Sequence, residues 1–306
     1  MNEIKLFCPA TIANLSCGFD VLGLCLDTIG DEMIIRKVAQ KGVRITKIIG
    51  ADLPLITEEN VAGVAALALL NEVETPFGFE MEIYKNIKAG SGIGSSSASA
   101  AGAVFGINEL LGKPFSRNEL VRFAMKGEVV ASGSEHADNV APALLGGFTL
   151  VRSYTPLDVI RIESPNELFA TVIHPQIELK TSEMRAVLQP MISLKSAIVQ
   201  WGNVGGLIAG LYSNDYDLIG RSLHDEIVEP LRGKFIPHFE EIKKATLNAG
   251  ALGSGISGSG PSIFALSKGI ENAEKVKNAM ISIFEKKTIP FEIHVSRINS
   301  EGVRIL

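Results

Sequence analysis

Residues 90–101 read G-S-G-I-G-S-S-S-A-S-A-A, three glycines and five serines that run straight into an alanine-rich segment. Glycine tolerates positive φ and lets a ligand approach the backbone closely, so Gly90, Gly92 and Gly94 suit a loop wrapped around an anion. Ser95, Ser96 and Ser97 then fall where helix caps and hydroxyl ligands are wanted. The spacing of Ala100, Val104, Ile107 and Leu111 predicts a helix over residues 97–111, whose first N–H groups face whatever the loop holds. A flexible Gly/Ser linker is the plainer alternative, but linkers are rarely followed by a helix of this periodicity.

Two common phosphate motifs are excluded at once. A Walker A loop needs a lysine after its last glycine, and none follows Gly94; Ser95 stands where the third glycine of a dinucleotide G-x-G-x-x-G belongs. The charge that neutralises a bound phosphate must therefore come from elsewhere in the chain.

Working outward, residues 79–84 alternate as a strand and deliver the chain into the loop, giving the order strand, loop, helix. Before it, residues 3–8, 32–38 and 43–49 read as strands, and Thr57 as the N-cap of a helix over 58–72. Residues 9–20 break the strand periodicity as a polar loop; Asn14 and Asp20 are its chemical groups, and taken alone their usual role is Asx-turn hydrogen bonding. Ser116 and Glu119 form a capping box for a helix to about residue 131, which carries Glu128 near its end. A polar block over 131–142 follows, with His136, Asp138 and Asn139, and then a strand from Phe148.

Periodicity weakens over 154–166, which places a domain boundary there and divides the chain into residues 1–160 and 161–306. The second half alternates a strand at 169–173, helical stretches at 181–187, 194–212 and 237–248, a strand at 262–266, a helix at 270–286 and a strand at 291–297. Its glycine cluster G-S-G-I-S-G-S-G, residues 253–260, does contain G-x-G-x-x-G. A helix precedes that cluster and a strand follows it, the reverse of a dinucleotide site, so an oxidoreductase reading fails on context. The fold class expected is α+β.

Composition narrows the chemistry. At 306 residues and 46% hydrophobic, the chain can bury two modest cores. A net charge of −5 without a basic cluster argues against nucleic acid, so the natural partner is a small molecule. Cys8, Cys17 and Cys25 form no C-x-x-C pair, which points to neither zinc nor a disulfide framework. The longest apolar run, residues 61–70, is too short to cross a bilayer, and no signal-peptide core is apparent, so a soluble, cytoplasmic protein is expected.

Three stretches carry a resemblance: P-A-T-I-A-N-L-S-C-G-F-D from Pro9, G-S-G-I-G-S-S from Gly90, and G-I-S-G-S-G-P from Gly255. In this order, across nearly the whole chain, they resemble the three motifs of the GHMP small-molecule kinases. A-N-L-S-C-G-F-D and H-A-D-N-V-A-P look most like the branch that phosphorylates the side-chain hydroxyl of L-homoserine. The resemblance implies an N-terminal domain like the second domain of ribosomal protein S5, a ferredoxin-like C-terminal domain and an active site between them. It also implies ATP and Mg2+ as cofactors and a homodimer.

Carried onto this chain, the resemblance assigns Gly90, Ser91, Gly92, Ile93, Gly94, Ser95, Ser96 and Ser97 to ATP, and Ser96 with Glu128 to magnesium. Asn60, where the first helix begins, is the candidate adenine contact. Lys88 stands where the second motif usually has proline, four residues before Gly92; it puts a cation at the loop's edge, and whether it touches nucleotide is open. For the acceptor, Asp20 and Asn14 suit the ammonium and Arg185 with Arg232 the carboxylate, while Thr181, His136 and Gly258 complete the pocket. His136 equally suits a structural role. Mevalonate and galactose kinases carry an aspartate where Asn139 stands, so catalysis by orientation is expected, with Asn139 holding the hydroxyl and Asp138 its rival. The competing readings are another GHMP kinase, acting on mevalonate, a sugar or shikimate, and a non-catalytic ligand sensor.

Overall fold

A computed structural model describes every residue of the chain except Glu178. The architecture is α+β, built on two sheets. The first sheet comprises β1 (Glu3–Ala13), β2 (Leu22–Val38), β3 (Val43–Ile49), β4 (Gly78–Tyr84), β5 (Phe148–Tyr154) and β6 (Leu157–Ile162). The second contains β7 (Leu168–Pro175), β8 (Gly253–Ile256), β9 (Ile263–Lys268) and β10 (Phe291–Arg297) in the order β10-β7-β9-β8, all antiparallel. The last strand, β11 (Arg304–Ile305), returns to the first sheet beside β1.

Long β2 is the hinge of the first sheet, pairing with β1, β4 and β5 along its length. Its pairing with β1 slips between Pro9 and Thr11, a bulge of the kind that re-aims a side chain. Strand β1 therefore runs on to Ala13, through residues read as loop from sequence. The proline lacks an N–H and lies at the register shift, where the ladder does not need one.

Helices α1 (Val61–Leu70), α2 (Ser95–Leu110), α3 (Arg117–Ser132) and α4 (Val140–Leu145) pack together against the first sheet. Apart from Glu109, α2 is buried from Ser97 to Leu110, and its alanines and glycines let it lie close to the strands. A Cβ on Gly102 would sit 2.4 Å from Cys8 Sγ. Thr57 begins a short 3-10 turn instead of capping α1; the cap is Asn60, whose side chain accepts from the Ala62 N–H at 3.0 Å. The capping box of Ser116 and Glu119 is present at α3.

In the second half, α5 (Thr181–Ala186), α6 (Leu194–Ser213), α7 (Tyr216–Ser222) and α8 (Glu229–Arg232) precede α9 (Phe239–Asn248) and α10 (Ile270–Lys287), and the last two cover the second sheet. Ile242, Val276, Met280 and Phe284 form the center of that layer with Ile263 and Ile173. Helices α4 and α7 were not legible in the sequence, being short and carrying Pro142 and Gly220. Among the described residues no helix is long and apolar enough to cross a membrane.

Candidate active site

A cleft of about 800 Å³ gathers residues from the β1–β2 loop, the glycine loop, the end of α3, the α3–α4 loop, α5 and α8. Its floor is the glycine loop. Gly90, Gly92 and Gly94 all take left-handed φ, at 72°, 80° and 72°. Helix α2 starts at Ser95, two residues earlier than the periodicity predicts, and its N-cap is Gly94, with no side chain capping it. The serines thus are not caps. An uncapped helix start presents its free N–H groups and positive dipole end to the cleft, the arrangement that binds phosphate.

The second glycine cluster braces this floor. Ser257 donates to Gly92 O at 2.7 Å and Ser262 to Ser91 O at 2.6 Å. A Cβ on Gly92 would fall 2.6 Å from Gly260 O and 2.8 Å from Ser257 O, so the two backbones are in direct contact. The Gly258 N–H donates to Ala13 O at 3.2 Å, while its carbonyl, on the cleft wall, accepts from Asn14 Nδ2 at 2.7 Å and Arg232 Nη1 at 3.3 Å. Helix α9 precedes the cluster and β9 follows it, as the sequence order required.

Beside the helix start, Ser96 Oγ donates to Glu128 Oε2 at 3.1 Å. Among the described residues the other carboxylate oxygen, Oε1, is buried and meets no hydrogen bond of good geometry, and burial pushes the carboxyl up to about 7 against the opposing pull of the Ser96 and Ser97 hydroxyls and of Lys85. A buried, underused carboxylate and an adjacent hydroxyl are hard oxygen donors of the kind magnesium takes. The residues present therefore fit that ion.

At the other end of the cleft lie the charged groups. Asp20, at φ 59°, is fixed by its N–H to Asn14 Oδ1 at 3.0 Å and by its carbonyl, which accepts from the Tyr154 hydroxyl at 2.8 Å. Asn14 has both polar ends engaged here, the Asx role the sequence allowed. Arg185 Nη2 donates to both Asp20 carboxylate oxygens, at 2.9 and 3.0 Å. Arg232 is only 2% exposed; its Nε donates to Met184 O at 2.9 Å, and no acidic side chain among the described residues pairs with it. Burial first, then Arg185, lowers its pKa to about 10. Both guanidiniums flank the Phe19 ring, at 5.5 and 5.1 Å.

Between the two ends stand Asp138 and Asn139. Thr11, placed by the β1 bulge, donates its hydroxyl to Asn139 Oδ1 at 2.7 Å, which leaves the Asn139 NH2 as the group free to act. Burial, then the charges of Asp20 and Glu128, push the Asp138 carboxyl up to about 7. A carboxyl whose folded pKa lies above its unfolded 3.8 holds its proton more tightly when folded, so ligand-free stability falls as pH rises from about 4 to about 7 and then levels off. Asp138→Asn is expected to flatten that part of the melting-temperature profile; an unchanged slope would exclude Asp138 as its source.

The family models decide the ancestry of this cleft. That of the GHMP kinases N terminal domain matches residues 60–147, and that of the GHMP kinases C terminal region matches residues 207–286. The chain belongs to the GHMP kinase family. A homoserine kinase of Chlorobium phaeovibrioides is 48% identical over 320 aligned positions, covering 100% of both chains. The crystal structure of homoserine kinase from Cytophaga hutchinsonii is 50% identical and superposes with a TM-score of 0.96, covering 100% of this chain and 98% of that one. Methanococcus jannaschii mevalonate kinase, 13% identical with a TM-score of 0.70 over 97% and 98% of the two chains, shares the fold alone. The GHMP kinase fold thus leaves the acceptor to be chosen by side chains.

The remaining expected residues are distributed unevenly about the cleft of this GHMP kinase. Lys88 is exposed, turned toward Gln176 Oε1 and off the cleft wall. Ile93 is buried, its carbonyl accepting the Thr11 N–H at 3.1 Å. Ser95 donates to Ile87 O at 2.8 Å, and the Ser97 hydroxyl is buried, near enough to Glu128 to hold its carboxyl down. Asn60 lines the cleft, but its amide is engaged with Pro54 O at 2.8 Å and Ala62 N, leaving contact with a base to its surroundings. Thr181 reaches Ser259 Oγ at 3.2 Å and His136 Nε2 reaches Ser134 Oγ at 3.1 Å, both at the cleft rim.

The sequence reading missed Lys85. Its ammonium is buried beneath the glycine loop, ion-paired to Asp31 and donating to Ser95 O at 2.8 Å and Ser99 Oγ at 3.0 Å. Asp31 Oδ1 also accepts the N–H groups of Asn86 and Ile87, each at 2.8 Å, so the pair clasps strand exit, loop and helix start together.

Proposed function

We propose that the chain phosphorylates the side-chain hydroxyl of L-homoserine with ATP and magnesium, yielding O-phospho-L-homoserine and ADP, a step toward threonine. The observation that carries the acceptor is the gathering of a carboxylate, Asp20, and two guanidiniums at one end of the cleft, Arg185 bonded to Asp20 and Arg232 buried with no acid partner among the described residues. Homoserine brings an ammonium, a carboxylate and a hydroxyl, and so answers both signs. Mevalonate and galactose offer no ammonium. The relatives named homoserine kinase, matching end to end, support the same choice.

In this reading the glycine loop and the start of α2 hold the triphosphate through backbone N–H groups. Ser96 and Glu128 would hold magnesium, which supplies positive charge to the phosphates in place of the missing Walker lysine. Asp20 takes the ammonium, Arg185 and Arg232 the carboxylate, and together they aim the hydroxyl toward the loop. The Asn139 NH2, with Oδ1 occupied by Thr11, donates to the oxygens that align for transfer. The acceptor oxygen bonds to the γ-phosphorus as the bond to the β–γ bridging oxygen breaks; ADP leaves and the hydroxyl proton passes to water. Such a loose transfer asks for alignment and charge more than for a strong base. Asp138, adjacent and buried, is the alternative proton acceptor.

The division near residue 160 and a cytoplasmic setting belong to the same reading. A coupled ADP-release assay with L-homoserine, mevalonate and galactose in parallel tests it, with turnover expected for the first alone.

A further inference from the structure

Two groups assigned above to opposite ends of the acceptor are bonded to each other. Asp20, the ammonium group, and Arg185, a carboxylate group, lie 165 positions apart in sequence, and Arg185 Nη2 spans both Asp20 oxygens at 2.9 and 3.0 Å. Their side chains keep 27% and 38% of their exposure, so the pair faces the cleft and a ligand can reach it. Arg232 differs: it is buried, fixed to Met184 O and Gly258 O, and paired with no acid among the described residues.

We propose that the Asp20–Arg185 ion pair is a specificity device, which closes the acceptor site on itself until a zwitterion exchanges partners with it. The proposal rests on the homoserine reading and extends it. A zwitterion gives its ammonium to Asp20 and its carboxylate to Arg185 and Arg232, so every charge released by breaking the pair is matched again. An acceptor bearing only a carboxylate takes Arg185 from Asp20 and leaves the Asp20 carboxylate, about three-quarters shielded from water, without its two hydrogen bonds. One bearing only an ammonium frees Arg185 beside the already unpaired Arg232, against the same Phe19 ring. Arg232 attracts any carboxylate; the ion pair turns away those without an ammonium, a selection made by penalty as much as by contact. Asp20 holds its place for this through the bonds to its own backbone from Asn14 and Tyr154.

The test compares ATP turnover of L-homoserine with that of 4-hydroxybutanoate, the same molecule without its ammonium. Asp20→Asn suits the purpose, because asparagine tolerates the left-handed backbone at φ 59°. It is expected to lower kcat/KM for homoserine about a hundredfold, the scale of a lost charged hydrogen bond. At the same time it should raise kcat/KM for 4-hydroxybutanoate about fivefold above the parent, the scale of a half-exposed ion pair removed. A loss with both acceptors would overturn the exchange and leave the ammonium assignment standing. Unchanged homoserine turnover would overturn that assignment itself. The mirror variant, Arg185→Gln, is expected to raise turnover of 3-aminopropan-1-ol, which lacks the carboxylate; no rise there counts against the exchange even if Asp20→Asn fails to fold.

Discussion

Replacing Glu128 with glutamine is expected to lower kcat about a thousandfold, a barrier increase of about 4 kcal/mol, while the fold survives. Glutamine keeps the shape and can still accept from Ser96, but it cannot offer magnesium a charged oxygen. Among the described residues the native carboxyl has Oε1 buried without a hydrogen bond of good geometry, an arrangement that an arriving cation would relieve. Because that uncompensated group is removed, the ligand-free variant should melt no lower than the parent at pH 8, where the native carboxyl is ionised. Magnesium titrations of activity should shift to higher concentration or fail to saturate. A kcat within about threefold of the parent at ordinary magnesium would show that Glu128 is a structural acid, and that the charge for the glycine loop comes from another group.

The second large effect is at Arg232. Arg232→Gln is expected to lower kcat/KM for L-homoserine about a thousandfold, the scale of removing one member of a desolvated charge pair. It should leave the ATP KM within a small factor, since the guanidinium lies at the acceptor end. Stability should move the other way. A buried cation with no acid partner among the described residues strains the ligand-free protein, as its lowered pKa reflects, so the neutral variant should melt at or above the parent. Arg232→Lys should not restore activity: a lysine cannot reproduce the planar fork that reaches Met184 O, Gly258 O and a carboxylate together. A variant that loses stability and activity in parallel would mean that Arg232 serves the fold instead.

These expectations draw on a site that was largely, though unevenly, legible in the sequence. The glycine loop was read from its composition and from the helix behind it, because both features are local. Asp20, Arg185 and Arg232 lie far apart in the chain, and no periodicity joins them; only the resemblance to a kinase family brought them to one place before the fold did. The Lys85 and Asp31 clasp escaped notice for a physical reason. A lysine at a strand exit and an aspartate within a strand normally face solvent, and only the pairing of β2 with β4 turns both inward beneath the loop. The same holds for Thr11, whose role depends on a bulge that hydrophobic alternation cannot register.

Some local signals misled for equally definite reasons. Thr57 and Asn60 are both good caps, and the 3-10 turn between them decides for the asparagine. Ser95 to Ser97 look like caps by composition, yet the helix begins at a left-handed glycine, which leaves its N–H groups free for a ligand. Lys88 sits beside the loop in sequence but points to Gln176 in space. The second glycine cluster is a brace on the first, a function that no motif pattern describes.

Whether this cleft is built for a zwitterionic alcohol is read from steady-state ADP release with ATP and magnesium and three acceptors offered separately. Saturable turnover is expected with L-homoserine alone, its kcat/KM at least about a hundredfold above any residual value for mevalonate or galactose. Turnover of mevalonate or galactose with none of homoserine would contradict it.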